Sequence, residues 1–144
     1  MTWWRLFLVV GLLGCGAAEE ETKLQGSVGR VYSLEHDSVR ALLSANELAV
    51  QFIDDGAVIV QVVLDRTRVS EITPGNYDLA TDGLVVGSRE DRPLPDFVSG
   101  TLELTQFAPD DGASISGEFG ATLATDENNY SVYGRFDTTL TIVP

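Results

Sequence analysis

From Thr101 to the C-terminus the sequence alternates with a period of two, and each interruption is a cluster of turn-forming residues. Thr101 to Phe107 sets Leu102, Leu104 and Gln106 against Thr101, Glu103, Thr105 and Phe107, and Pro109-Asp110-Asp111-Gly112 then turns the chain. Ile115 to Thr125 follows, then Asp126-Glu127-Asn128-Asn129, then Tyr130 to Val143. In this last run Val132, Gly134, Phe136, Thr138, Leu140 and Ile142 share one side, with Tyr133, Arg135, Asp137, Thr139 and Thr141 on the other. Successive side chains of an extended strand point to opposite faces, so the pattern predicts one buried and one wet face. An amphipathic helix needs a spacing of three and four instead.

The preceding residues read in the same way. Ser27 to Leu34 alternates Val28, Arg30, Tyr32 and Leu34 against Gly29 and Val31, which predicts a strand. Ser38 to Leu43 is read as a strand closed by the turn Ser44-Ala45-Asn46-Glu47, with a short helical turn as the alternative. Leu48 to Ile53 and Ala57 to Leu64 form a hairpin around Asp54-Asp55-Gly56, because Asp-Gly accepts the positive φ of a tight turn. The second arm is apolar on both sides, as a central strand is. Pro74-Gly75-Asn76 reads as a turn, Tyr77 to Ala80 and Leu84 to Gly87 as short strands around Thr81-Asp82-Gly83, and Ser88 to Asp96, with two prolines and five charges, as a loop.

Short strands at close spacing, without a long helix, predict an all-β domain: an antiparallel β-sandwich, with a small β-barrel as the alternative. At 144 residues there is one domain. One local echo stands out. Gly117-Glu118-Phe119 and Gly134-Arg135-Phe136 each set a Gly two residues before a Phe, 17 residues apart. Two units do not make a repeat protein; a Gly making room for the ring of a neighbouring strand accounts for the pattern.

The N-terminus has a different grammar. Arg5 precedes an apolar run from Leu6 to Leu13 that is too short for a bilayer core, which needs about 20 residues. That arrangement reads as a secretory leader. It ends in Leu12-Leu13-Gly14-Cys15, which resembles the lipobox of bacterial lipoproteins. The resemblance implies cleavage between Gly14 and Cys15 and acylation of the Cys15 thiol, with Met1 to Gly14 lost. No second Cys exists to claim that thiol for a disulfide. Gly16 to Lys23, with Glu19, Glu20 and Glu21 in a row, has no hydrophobic period and reads as a solvated tether reaching about 25 Å when extended. The expected organisation is therefore a signal peptide over 1–14, a lipidated Cys and acidic tether over 15–23, and a β-domain over 24–144. Gly16 in place of Asp after the Cys implies the outer membrane if the host is Gram-negative. The stretch from Gly100 onward resembles uncharacterised bacterial lipoproteins whose β-domain ends in paired Gly-x-Phe strands; that resemblance implies a fold and carries no site residues.

Chemistry is constrained by what the composition lacks. The formal charge is −13, from 9 Lys plus Arg against 22 Asp plus Glu, so nucleic acid is not an expected partner. One His and one Cys leave no multi-Cys zinc or iron–sulfur site. His36, Asp37 and Ser38 are the residue types of a hydrolase triad, but adjacent strand residues point apart, so no enzyme is expected. Calcium takes six to eight oxygens from flexible loops, and Asp54, Asp55, Asp110, Asp111, Asp126 and Glu127 are candidate ligands, although turns favour Asp for backbone reasons alone. No cofactor is expected beyond that possible calcium. The expected partners are the membrane, through the N-terminal lipid, and an envelope protein. The expected function is a structural or protein-binding module, with a calcium-stabilised adhesion-like module or a small-ligand-binding barrel as alternatives.

Overall fold

The computed structural model describes residues 22–144. The expected leader, Gly14, Cys15 and the tether as far as Glu21 lie outside those residues. Regular structure begins with β1 (Lys23–Gln25), followed by a single 3-10 turn (Ser27–Arg30), β2 (Ser38–Leu43), β3 (Glu47–Asp54) and β4 (Ala57–Asp65). Next come β5 (Gly75–Asp78), a one-turn helix α1 (Leu79–Asp82), β6 (Gly83–Val86), and the two-residue strands β7 (Ser88–Arg89) and β8 (Arg92–Pro93). Three long strands complete the chain: β9 (Asp96–Gln106), β10 (Ser114–Ala124) and β11 (Asn129–Ile142). No helix among the described residues is long and apolar enough to cross a membrane.

The fold is all-β, as the alternation requires. The expected sandwich gives way to its alternative: eight strands follow one continuous path, β5-β9-β10-β11-β2-β3-β4-β6, rolled into a nearly closed barrel. β7 and β8 form a separate small sheet. Alternation is identical in two stacked sheets and in one rolled sheet, so the sequence pattern does not separate them. Long-range register does. β11 pairs antiparallel with β10 along its first eleven residues and then parallel with β2 through Leu140, Thr141 and Ile142. β1 pairs with β11 lower down, opposite Tyr133, Gly134 and Arg135. One strand thereby joins both halves of the wall.

The interior is filled with side chains. Phe52, Phe119, Phe136, Leu48, Ile59, Leu64 and Leu79 are all fully buried, within a single apolar cluster. The Gly-x-Phe echo is reciprocal packing: Gly117 lies opposite Phe136, and Phe119 lies opposite Gly134. A Cβ on Gly134 would sit 2.2 Å from Phe119 Cε1, so the ring occupies the space that the glycine leaves. Phe119 also meets Phe52, with ring centroids 5.8 Å apart.

In the β3–β4 pairing a register shift falls where Phe52 faces Val60 and Ile53 faces Val58. Ile59 is the extra residue, and Ile59 and Val60 are both buried. A bulge leaves backbone groups outside the ladder, and the Tyr32 hydroxyl donates to the freed Ile59 carbonyl. That bond helps to explain a departure from the sequence reading. Ser27 to Leu34 is not a strand: Val28 and Tyr32 are buried four residues apart on a helical turn, with Tyr32 N donating to Val28 O at 2.9 Å. A spacing of four satisfies both periods, and Gly26, at φ 139°, breaks the extension from β1.

Three further expectations change. Gly75 and Asn76 belong to β5 rather than to a turn. Asp78 caps α1 by accepting from Ala80 N at 3.0 Å, so Leu79 and Ala80 leave the expected strand. The charged stretch after Gly87 contains the β7–β8 hairpin, with Glu90 and Asp91 at φ 49° and 63°. It carries no glycine to signal that turn.

Candidate functional site

The acidic pairs singled out as calcium candidates lie in three separate turns. Asp54 and Asp55 are in the β3–β4 hairpin, Asp110 and Asp111 between β9 and β10, and Asp126 and Glu127 between β10 and β11, so the last two pairs are at opposite ends of β10. Among the described residues no three His, Cys, Asp or Glu side chains come together as a metal site. Several of these groups have protein partners. Asp54 accepts from Arg89, Asp111 Oδ1 accepts from Ile142 N at 3.0 Å, and the Asp110 carbonyl accepts from Ala113 N at 3.1 Å. Asp55 sits at φ 50° and its N–H donates to Asp37 Oδ2 at 3.0 Å, which holds the Asp37 carboxyl below the usual range. The Asp126–Glu127 turn is closed by Thr125 N donating to Asn128 O at 2.9 Å.

Two polar clusters emerge that sequence reasoning did not assemble. The first is centred on Arg89. Its Nη1 donates to Asp54 Oδ2 at 2.8 Å and its Nη2 donates to the Glu35 carbonyl, while Nε is buried without a hydrogen-bond partner among the described residues. The two charged side chains are 19% and 27% exposed, so the pair is shielded more than an ordinary surface bridge. It ties the β7–β8 hairpin to the β3–β4 hairpin and to the loop before β2. Burial raises the nearby Tyr32 phenol, and the charge of Arg89 works against that rise. His36 lies in the same loop. Its Nδ1 is 3.1 Å from the Leu34 carbonyl and its ring meets Phe52 edge-on at 5.5 Å. Ser38 Oγ donates to Asp37, and no hydrogen bond among the described residues joins the imidazole to either one. The three triad residue types therefore do not form a relay.

No family model, curated protein or solved structure matches this chain.

The second cluster lies on the outer wall, where β1, β10 and β11 run side by side. Register sets Lys23 opposite Arg135 and Glu118 opposite Arg135. Tyr133 Oη donates to Glu118 Oε2 at 2.5 Å, Arg135 reaches the same oxygen at 3.4 Å, and Lys23 Nζ lies 5.6 Å above the Tyr133 ring. The Tyr133 hydroxyl, with help from Arg135, holds the Glu118 carboxyl below its usual range. The Glu118 carboxylate in turn raises the Tyr133 phenol. Tyr133 thus lies on the outer side, as alternation predicts, but its hydroxyl is committed to Glu118. The only sequence signal for this cluster was a shared wet face, since strand pairing was not known.

A third feature is a polar ladder across the outside of β2, β3 and β4. Arg40 Nε donates to Gln51 Oε1, and Gln51 Nε2 donates to Gln61 Oε1 at 2.6 Å. Among the described residues these arrangements pair hydroxyls with carboxylates at Tyr133–Glu118 and Ser38–Asp37. They cross-link neighbouring strands and pattern the outer surface with polar groups.

Proposed function

We propose that this chain is a lipid-anchored domain of the bacterial cell envelope that acts as a structural or protein-binding module. The observation that carries the reading is Leu12-Leu13-Gly14-Cys15 at the end of a short apolar run, seven residues ahead of the described chain at Thr22 and eight ahead of β1. Acyl chains on Cys15 attach the domain by burying methylenes at about 0.8 kcal/mol each, and two or more chains give stable anchoring. A stiff, side-chain-filled barrel on an acidic tether supports a displayed module. The packed interior weighs against a ligand held in the lumen, because Phe52, Phe119 and Phe136 fill that space.

The test is metabolic labelling with an alkyne fatty acid, followed by fractionation, for the wild type and Cys15→Ser. The wild type is expected to incorporate label and to need detergent for extraction. Cys15→Ser is expected to lose the label and to remain unprocessed or leave the membrane. Wild-type levels of processed Cys15→Ser in the membrane fraction would overturn the anchor.

A further inference from the structure

Five large apolar side chains are prominently exposed among the described residues, and three of them line the place where the barrel fails to close. Leu84 and Val86 are on β6, at 37% and 44% exposure, and Val98 is on β9, at 54%. Among the described residues β6 pairs only with β4, and β9 is paired with β5 only from Thr101 to Leu104. The two strands approach within 8 Å at Cα and share no ladder. β9 is blunted in this stretch. Register jumps from Ser99 to Phe97, so Val98 is the extra residue of a bulge, and Asp96 adds a charge. Bulges and charges are the usual protection of a sheet edge. β6, Gly83-Leu84-Val85-Val86, has neither charge, proline nor bulge. An undefended edge bearing exposed apolar side chains is a template for one more strand.

We propose that the free edge of β6 receives an extended segment of a partner protein, adding it as a strand, with apolar residues alternating with basic ones. Backbone pairing would supply the register, and Leu84, Val86 and Val98 would meet the apolar side chains. The basic character follows from the charge balance: Asp78 and Asp96 are exposed on β5 and β9, and in the hairpin joining β6 to β9 exposed Glu90 and Asp91 outnumber exposed Arg92. Arg68, close by, is already committed to Asp65 and to the Thr81 carbonyl. A strand on each side of the newcomer needs about 10 Å between β6 and β9, so the seam has to spread by at least about 2 Å at its narrowest point. The inference deepens the binding-module reading and rests on it for the existence of a protein partner; it does not depend on the lipid, which the Cys15 experiment tests alone.

The experiment uses the full chain in detergent and a fluorescent heptapeptide, Lys-Val-Arg-Val-Lys-Val-Arg. The controls are a Glu-for-Lys/Arg version and a version N-methylated at alternate amides, which keeps the side chains but blocks pairing. Saturable binding is expected, with hydrogen-exchange protection appearing at Leu84 to Val86, and at least about tenfold weaker binding of both controls. Leu84→Lys/Val86→Lys changes only exposed positions and is expected to weaken binding by a similar factor with an unchanged melt. Equal binding of the methylated peptide overturns the proposal in favour of charge adsorption. Absence of saturable binding overturns it outright. Protection at β6 that grows with protein concentration alone overturns it in favour of a second copy of this chain.

Discussion

Replacing Gly134 with Ala tests the packing logic of the barrel through a sign. In open strand backbone the change stabilises, because Gly costs about 0.5–1 kcal/mol relative to Ala. At Gly134 the new Cβ would lie 2.2 Å from Phe119 Cε1 and 2.9 Å from Leu24 Cδ2. Ordinary contact begins near 3.4 Å, so the ring has to move by about 1.2 Å. Phe119 is 1% exposed and packed on Phe52, so nothing behind it yields cheaply. Overpacking of this kind costs about 1–3 kcal/mol and outweighs the backbone gain, leaving a net loss of about 1–2 kcal/mol. Gly120 is the control, since a Cβ there meets nothing within 4 Å. For a domain of this size 1 kcal/mol moves the melting temperature by about 4 °C. Thermal and urea unfolding should therefore show Gly134→Ala lower by about 4–8 °C and Gly120→Ala unchanged or raised by up to about 4 °C. Adding Phe119→Leu to Gly134→Ala should cost less than the two single changes together, because they compete for one space. A Gly134→Ala protein that melts at or above the wild type would refute the reasoning.

Four other outcomes follow from the polar clusters and turns. Arg89→Lys should cost about 1–3 kcal/mol in urea unfolding, because one ammonium cannot reach both the Asp54 carboxylate and the Glu35 carbonyl in the geometry of a guanidinium; a loss equal to that of Arg89→Ala would confirm that charge alone does not suffice, and wild-type stability would refute it. Glu118 has a lowered folded value, so its contribution to stability is complete above the usual glutamate range and disappears as pH falls through the lowered value; Glu118→Gln should flatten that part of the pH–stability curve. The same substitution should bring the raised Tyr133 ionisation, read by ultraviolet difference absorbance, back toward that of free tyrosine. Melts in chelator, magnesium and millimolar calcium at matched ionic strength should coincide, since Asp54 and Asp111 already hold protein donors; a calcium-specific rise following mass action would promote the adhesion-like alternative.

Local chemistry was readable in the sequence wherever one short segment decides its own conformation. Asp55-Gly56 announced its hairpin because both residues take positive φ there, and the alternation of Tyr130 to Val143 placed Val132, Phe136 and Leu140 inside. The paired glycines and phenylalanines announced their mutual packing, since a glycine in a strand invites a neighbouring ring. The segment from Ser27 to Leu34 misled because burial every fourth residue fits a strand and a helical turn alike. The β7–β8 hairpin was hidden for a different reason: Glu90 and Asp91 hold positive φ in a hairpin whose Arg89 is tied to Asp54, not because of their own preference. The cluster on β1, β10 and β11 depends on register that includes β1, a strand distant in sequence. Alternation put Tyr133 and Arg135 on one side, but nothing local said that Glu118 and Lys23 would stand beside them.

The pairing of β1 with β11 also sets a clock. Lys23 and Arg135 are 112 positions apart, and β11 is the strand against which β1, β2 and β10 all align. At typical synthesis rates of about 5–20 residues per second, the first strand waits on the order of 6–20 s for its partner to be made. During that interval the β2–β3–β4 hairpins can form, but the wall lacks the strand that joins its two halves. A chain built this way closes its wall only after β11 has been made.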